Sequence, residues 1–253
     1  MVGHSQSTPE PYPAPTPEPT PAPTPAPIPA PTPKSILEST LTTVEVTKDV
    51  GYGRVGDIPL LLDIYIPKTP IATPIPAIVF IRGGGWNGGD KGDERYVNNV
   101  EHLTTHRFIV ASINYRLSGV ATFPAAVEDS KCAVRWLRAN AEEYNVNPQR
   151  IGVADGSSGE HLALMVGCVD KTAGPEGNGG WEEFSSQVQT VVSYYGHSDF
   201  FLYASKYAIE FIGGIAREIP DIYVLASPIT HVNAGDPPLL LIHGKFDKTV
   251  PYN

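Results

Sequence analysis

The 253-residue chain is 41% hydrophobic, enough for one large buried core, and carries a formal net charge of -9 with a pI near 5.2. That acidic balance leaves no basic stripe to track a phosphate backbone, which excludes nucleic acid as the expected partner. No apolar run is long enough to cross a bilayer, so no transmembrane segment is expected, and Met1 to Ser7 lack the charged and apolar regions of a secretory signal.

From Pro9 to Pro33 every second residue is proline, half of the chain's 26, separated mostly by Thr, Ala and Glu. Proline fixes φ and removes the amide donor, so residues 1–34 are expected to be a disordered linker, extended and semi-rigid as polyproline II. A docking motif for proline-binding modules is the sharper reading, but the monotony of the repeat favours a spacer. Residues 35–253 then read as one domain. Its two cysteines, Cys132 and Cys168, have no metal-ligand or redox spacing and read as buried thiols.

Leu41 to Thr47 and Pro59 to Ile66 are strand-like runs with Gly51, Gly53 and Gly56 between them as turn material, which predicts an opening antiparallel pair. Ile75 to Ile81 is almost continuously apolar, as in a strand covered on both faces, and it runs into Arg82-Gly83-Gly84-Gly85-Trp86. A helix over Glu94 to His106 leads to a strand over Phe108 to Asn114. Ala125 to Glu143 places Val127, Val134, Leu137 and Ala141 on one face of a helix. Arg150 to Ala154 is a short strand that enters Asp155-Gly156-Ser157-Ser158-Gly159 and a helix from Glu160 to Val169.

The Gly-rich stretch from Asp170 to Gly180 has no periodicity and reads as a surface loop. Val188 to Tyr195 predicts a strand, Phe200 to Phe211 a helix, and Pro238 to His243 a strand ending in Gly244-Lys245-Phe246-Asp247. Alternating strands and helices of this kind define an α/β class, with a mostly parallel sheet and helices on both faces.

Acyl transfer by a serine hydroxyl needs a base, an acid that orients the base, and donors for the oxyanion. A Ser-x-Gly turn alone is commonly only a turn. Here Ser157 lies between a buried strand and a helix, downstream of a glycine-rich loop that ends another core strand, which is the order of a nucleophile elbow. Ser157 is therefore the candidate nucleophile, and the amides of Gly84, Gly85 and Ser158 are the candidate oxyanion donors. Asp247, in the turn after the last predicted strand, stands where the acid belongs in the chain order Ser, Asp, His; its plainer reading is a solvated turn aspartate. No histidine follows Asp247, the last in the chain being His243.

From Leu41 to Asn253 the chain resembles the α/β-hydrolase superfamily, within it the hormone-sensitive-lipase-like and bacterial feruloyl or acetyl esterase-like carboxylesterases. The resemblance rests on Gly83 to Trp86 with Gly89-Asp90-Lys91, on Ser112 to Leu117, on Phe123 to Ala126 and on Val134 to Arg138. Further matches are the elbow with His161-Leu162-Ala163, Ala226-Ser227-Pro228, and Pro237-Pro238 through Asp247 to Val250-Pro251. It implies a serine hydrolase, without cofactor, that cleaves short acyl esters, free or carried on plant polysaccharide.

In such families a last strand, the histidine loop and a closing helix follow the acid turn, so the chain reads as incomplete at its C-terminus, with the catalytic histidine expected beyond Asn253 and an exposed sheet edge. Three departures stand close to the elbow: Arg82 where the loop usually begins with His, Asp155 in place of the first elbow glycine, and Glu160 in place of a small residue. An anionic Asp155 or Glu160 would oppose the oxyanion unless Arg82 neutralised it. The alternative is a non-catalytic relative kept for binding. Proline-threonine spacers often join secreted enzymes to carbohydrate-binding modules, so an extracellular setting with an upstream module is expected by association.

Overall fold

A computed structural model describes residues 44–169, 174–203, 205–250 and 252. The proline-rich stretch and the expected strand start at Leu41 lie outside them. The elements are β1 (Val44–Val55), β2 (Ile58–Pro67), β3 (Ile75–Ile81), α1 (Glu94–Thr105), β4 (Ile109–Ile113), α2 (Ala125–Ala139), β5 (Val146–Gly156), α3 (Ser158–Cys168), β6 (Thr190–Tyr194), α4 (Lys206–Ile212), α5 (Pro220–Ala226) and β7 (Leu239–Ile242).

The strands form one seven-stranded sheet in the order β1-β2-β4-β3-β5-β6-β7. β1 pairs antiparallel with β2, and β2 antiparallel with β4; every later pairing is parallel. The apolar runs read from the sequence account for the central strands, because a parallel strand covered on both faces has no polar side to show. The larger core lies on the face covered by α2 and α3, and includes Leu62, Val79, Val134, Leu137, Val153 and Leu162. Tyr65, Phe80, Val100 and Val110 form the smaller core beneath α1 on the other face. α3 is buried on nearly every side, which explains why it is apolar all round rather than striped.

Several boundaries differ from the sequence reading. Gly51 and Gly53 lie within β1, and the turn is made by Gly56, with φ 56°. β1 slips register at two places along its pairing with β2, and a Cβ on Gly53 would lie 2.7 Å from the Gly179 carbonyl oxygen and 2.8 Å from Cys132 Sγ. This glycine admits a neighbouring chain rather than a turn. The helix expected over Phe200 to Phe211 is confined to α4, where Ser205 Oγ accepts the Ala208 amide at the start and Gly213, at φ 96°, ends it. α5 had no counterpart in the sequence reading.

Both cysteines are free and buried, as expected from their spacing. Among the described residues no helix is long and apolar enough to cross a membrane.

Candidate active site

The turn from β5 to α3 puts Ser157 at φ 58° and ψ -128°, a conformation that a residue with a Cβ rarely takes. Its amide donates to the Tyr194 carbonyl at the end of β6, 3.0 Å away. Close approach explains the small neighbours. A Cβ on Gly156 would meet the Tyr195 ring at 2.8 Å, and one on Gly159 would meet the Ile81 carbonyl oxygen at 1.7 Å. The serine is thus held in a strained turn at the C-terminal edge of the sheet by the strands on either side.

The loop after β3 lies against that turn, since a Cβ on Gly83 would come within 3.4 Å of Ser157 Cβ. Gly84, Gly85 and Trp86 follow with φ of 140°, 62° and 55°. The Gly84 carbonyl accepts the amides of Asn87 and Gly88, closing a tight turn. Among the described residues the amides of Gly84 and Gly85 donate to no protein group, and Ser158, as first residue of α3, has no partner for its amide within the helix. Among the described residues the serine turn is thus flanked by a loop and a helix start whose amides at Gly84, Gly85 and Ser158 have no backbone partner. Tyr207 of α4 packs over Gly85, where a Cβ would lie 3.4 Å from its ring.

Arg82 is committed to the loop and its neighbours. Its Nε donates to Asn114 Oδ1 at 3.2 Å, its Nη1 donates to the Gly88 carbonyl, and the guanidinium stacks over the Tyr115 ring at 4.6 Å. It braces the loop, and among the described residues it forms no ion pair with Asp155 or Glu160. Burial favours the neutral form of both acids. Asp155 is pushed well above the usual carboxylate range by desolvation, against the pull of the Gly156 and Gly83 amides and the field of Arg82. Glu160 is pushed up to about 7 by burial, with the Ser193 hydroxyl bonded to one of its oxygens. Gly196 makes room for it, since a Cβ there would coincide with Oε2.

Asp247 follows β7 at the same edge, two strands from Ser157 and so about 10 Å across the sheet. Its Oδ1 accepts the amides of Thr249 and Val250 at 2.8 and 3.0 Å, and these hold the carboxyl below its usual range. Among the described residues no histidine bonds to Ser157 Oγ or pairs with Asp247. His243 Nε2 is bonded to the Val250 carbonyl at 2.8 Å, and His161 is committed to Trp86 and Ala226. Burial depresses His197 to about 4, and its ring packs against Tyr203, Phe200 and Trp86.

The outer edge of β7 pairs with no described strand, and Leu240, Leu241 and Ile242 are exposed. Beside it a cavity of about 480 Å³ opens between Leu164, Leu239, Leu241, Ile229 and Val250, with Glu160 at its wall. Trp86 and His161 both stand in motifs that the sequence reading singled out, but their bond to each other and their packing with Tyr207 and Phe211 carried no signal in the sequence, because elements far apart in the chain assemble them.

A seven-stranded, mostly parallel sheet carrying a strained serine elbow beside a glycine-rich loop defines an α/β-hydrolase. The chain belongs to the BD-FAE family, whose model matches residues 62–253. Among curated proteins it is similar to the probable carboxylic ester hydrolase LipM of Mycobacterium tuberculosis, 31% identical over 212 residues, covering 80% of this chain and 48% of that protein. Esterase LipC of the same organism is 29% identical over 210 residues, covering 78% of this chain and 50% of its own. The chain therefore spans about half the length of these relatives. Among solved structures, a truncated carbohydrate esterase from gut microbiota superposes with a TM-score of 0.73 at 31% identity, over 82% of this chain and 79% of that one. Esterase 2 of Thermogutta terrifontis with bound propionate gives 0.67 at 29%, over 82% and 74%.

Proposed function

We propose that the protein is a serine carboxylic-ester hydrolase acting on short acyl esters, including acetyl or feruloyl groups of plant polysaccharide, through an acyl-enzyme on Ser157. One observation carries the reading: Ser157 stands at φ 58° in a strand-to-helix turn packed against the glycine-rich loop, and the amides of Gly84, Gly85 and Ser158 have no backbone partner among the described residues. In this reading Ser157 Oγ attacks the ester carbonyl and passes its proton to a histidine, and the amides hold the oxyanion. The histidine then returns the proton to the departing alcohol, and water releases the acid by the reverse sequence. Asp247, ionised and fixed by two amides, orients that histidine.

The histidine this reading requires is not supplied by the described residues, among which His243, His161 and His197 are bonded or packed elsewhere. The chain covers about half the length of the curated relatives it matches, and Leu240, Leu241 and Ile242 of β7, the strand that precedes Asp247, are exposed. The polysaccharide setting is supported by a carbohydrate esterase and a bifunctional GH43-CE protein from Bacteroides eggerthii among similar structures, together with the proline-threonine spacer. An extracellular modular protein with its partner domain upstream fits that spacer.

The test is fluorophosphonate labelling and hydrolysis of p-nitrophenyl acetate, acetylated xylan and a feruloyl ester by the full-length gene product. Adduct at Ser157 and turnover lost in Ser157→Ala are expected. A folded full-length protein that neither labels nor turns over would favour the second reading, a non-catalytic relative, which the two buried acids flanking the elbow support.

A further inference from the structure

The two halves of the oxyanion site come from separate elements, Gly84 and Gly85 from the loop after β3 and Ser158 from the start of α3. Their usefulness depends on spacing, because donors must stand about 2.7 to 3.1 Å from the oxyanion. A loop with three successive positive φ values, the last at a tryptophan, does not keep such spacing by itself. Something must hold Trp86.

The indole is almost wholly buried and stacked on Phe211 of α4, with centroids 4.8 Å apart and planes at 16°. Its Nε1–H donates to Nδ1 of His161 at 3.2 Å, and His161 Nε2 meets the Ala226 carbonyl at 2.8 Å. An indole N–H can only donate and a carbonyl can only accept, so the imidazole must be neutral, with its proton on Nε2. Burial depresses His161 to about 3, which keeps it in that state through the working pH range. His161 lies three residues after Ser158 on the same helix. The Trp86–His161 bond therefore links the loop that carries two donors to the first turn that carries the third.

We infer that His161 is a positioning residue which, through Trp86, sets the spacing between the Gly84 and Gly85 amides and the Ser158 amide. The inference rests on the esterase reading for its kinetic consequence, but its structural content can be read without turnover. His161 itself moves no proton.

Trp86→Phe keeps the stack on Phe211 and removes only the N–H. In the full-length protein it is expected to lower kcat by roughly 10- to 100-fold with KM within about twofold, and to weaken a boronic-acid oxyanion mimic in parallel. Backbone order parameters at Gly84 and Gly85 are expected to fall from about 0.85 toward 0.6, a readout that needs no activity. His161→Phe should act in the same direction, whereas His161→Asn, whose amide oxygen stands near the place of Nδ1, should recover most of the rate. Unchanged loop order in folded Trp86→Phe and His161→Phe proteins would overturn the inference, as would an unchanged kcat. An inactive wild type whose loop still loosens in Trp86→Phe would sink the esterase reading and leave the Trp86–His161 hold standing.

Discussion

Gly159 and Ile81 meet through bare backbone: a Cβ on Gly159 would stand 1.7 Å from the Ile81 carbonyl oxygen and 2.8 Å from the Arg82 carbonyl carbon. The start of α3 and the end of β3 can approach this closely only where one of them has no side chain. That contact brings the serine turn to the glycine-rich loop.

Gly159→Ala is therefore expected to destabilise the domain by about 3 kcal/mol or more, at the top of the range for overpacking, because backbone cannot move aside as a side chain can. Urea melts of the two proteins measure this. A loss below about 1 kcal/mol would mean that helix and strand are not apposed as described.

Ser157 stores strain of the opposite kind. Held at φ 58° and ψ -128°, it is costlier than glycine by on the order of 1–3 kcal/mol, offset in part by the greater entropy an unfolded glycine loses. Ser157→Gly should raise unfolding stability by about 1 kcal/mol while abolishing fluorophosphonate labelling in the full-length protein. A destabilised variant would argue that the serine is unstrained.

Much of this arrangement was legible in the sequence, and the parts that were not share a cause. Apolar runs such as Ile75 to Ile81 reveal central strands because both faces are covered, and a serine between strand and helix reveals a turn because local order fixes it. Gly53 looked like a turn because the sequence does not say that Gly179 and Cys132 will press on it. The sequence left open whether Arg82 neutralises Asp155 or Glu160, because it does not say that the Gly88 carbonyl and Asn114 will claim the arginine's donors. The Trp86, His161 and Phe211 cluster joins three elements and leaves no periodic trace in any of them.

Lys131 and Arg135 of α2 are both buried, and one carboxylate, Glu176, receives them at 2.7 and 3.0 Å. Two desolvated cations on a single acid make that acid hard to replace. Glu176→Ala should cost about 3–5 kcal/mol, and Glu176→Gln nearly as much, since an amide keeps a hydrogen bond but no charge. Thermal and urea unfolding check this, and a loss under about 1 kcal/mol would mean that water reaches the cations.

Glu160 should make stability depend on pH in an unusual direction. Its carboxyl is raised from 4.5 to about 7 in the folded protein, so between those values the native state holds more protons than the unfolded chain. Stability from this group is present in full below about 4.5 and is lost as pH rises to about 7, a change of about 3 kcal/mol. Asp155, also raised, acts in the same direction, while His161 and His197, depressed to about 3 and 4, act oppositely below 6.5. The groups around Glu160 are Ser193, His197, His243 and Cys168, all retained in Glu160→Gln. Subtracting the variant's urea-melt curve from that of the wild type cancels them to first order. The difference should move in favour of the variant from pH 4.5 to 7 and level off above it, and a difference flat across that range would place the Glu160 carboxylate in water rather than in the wall of the cavity.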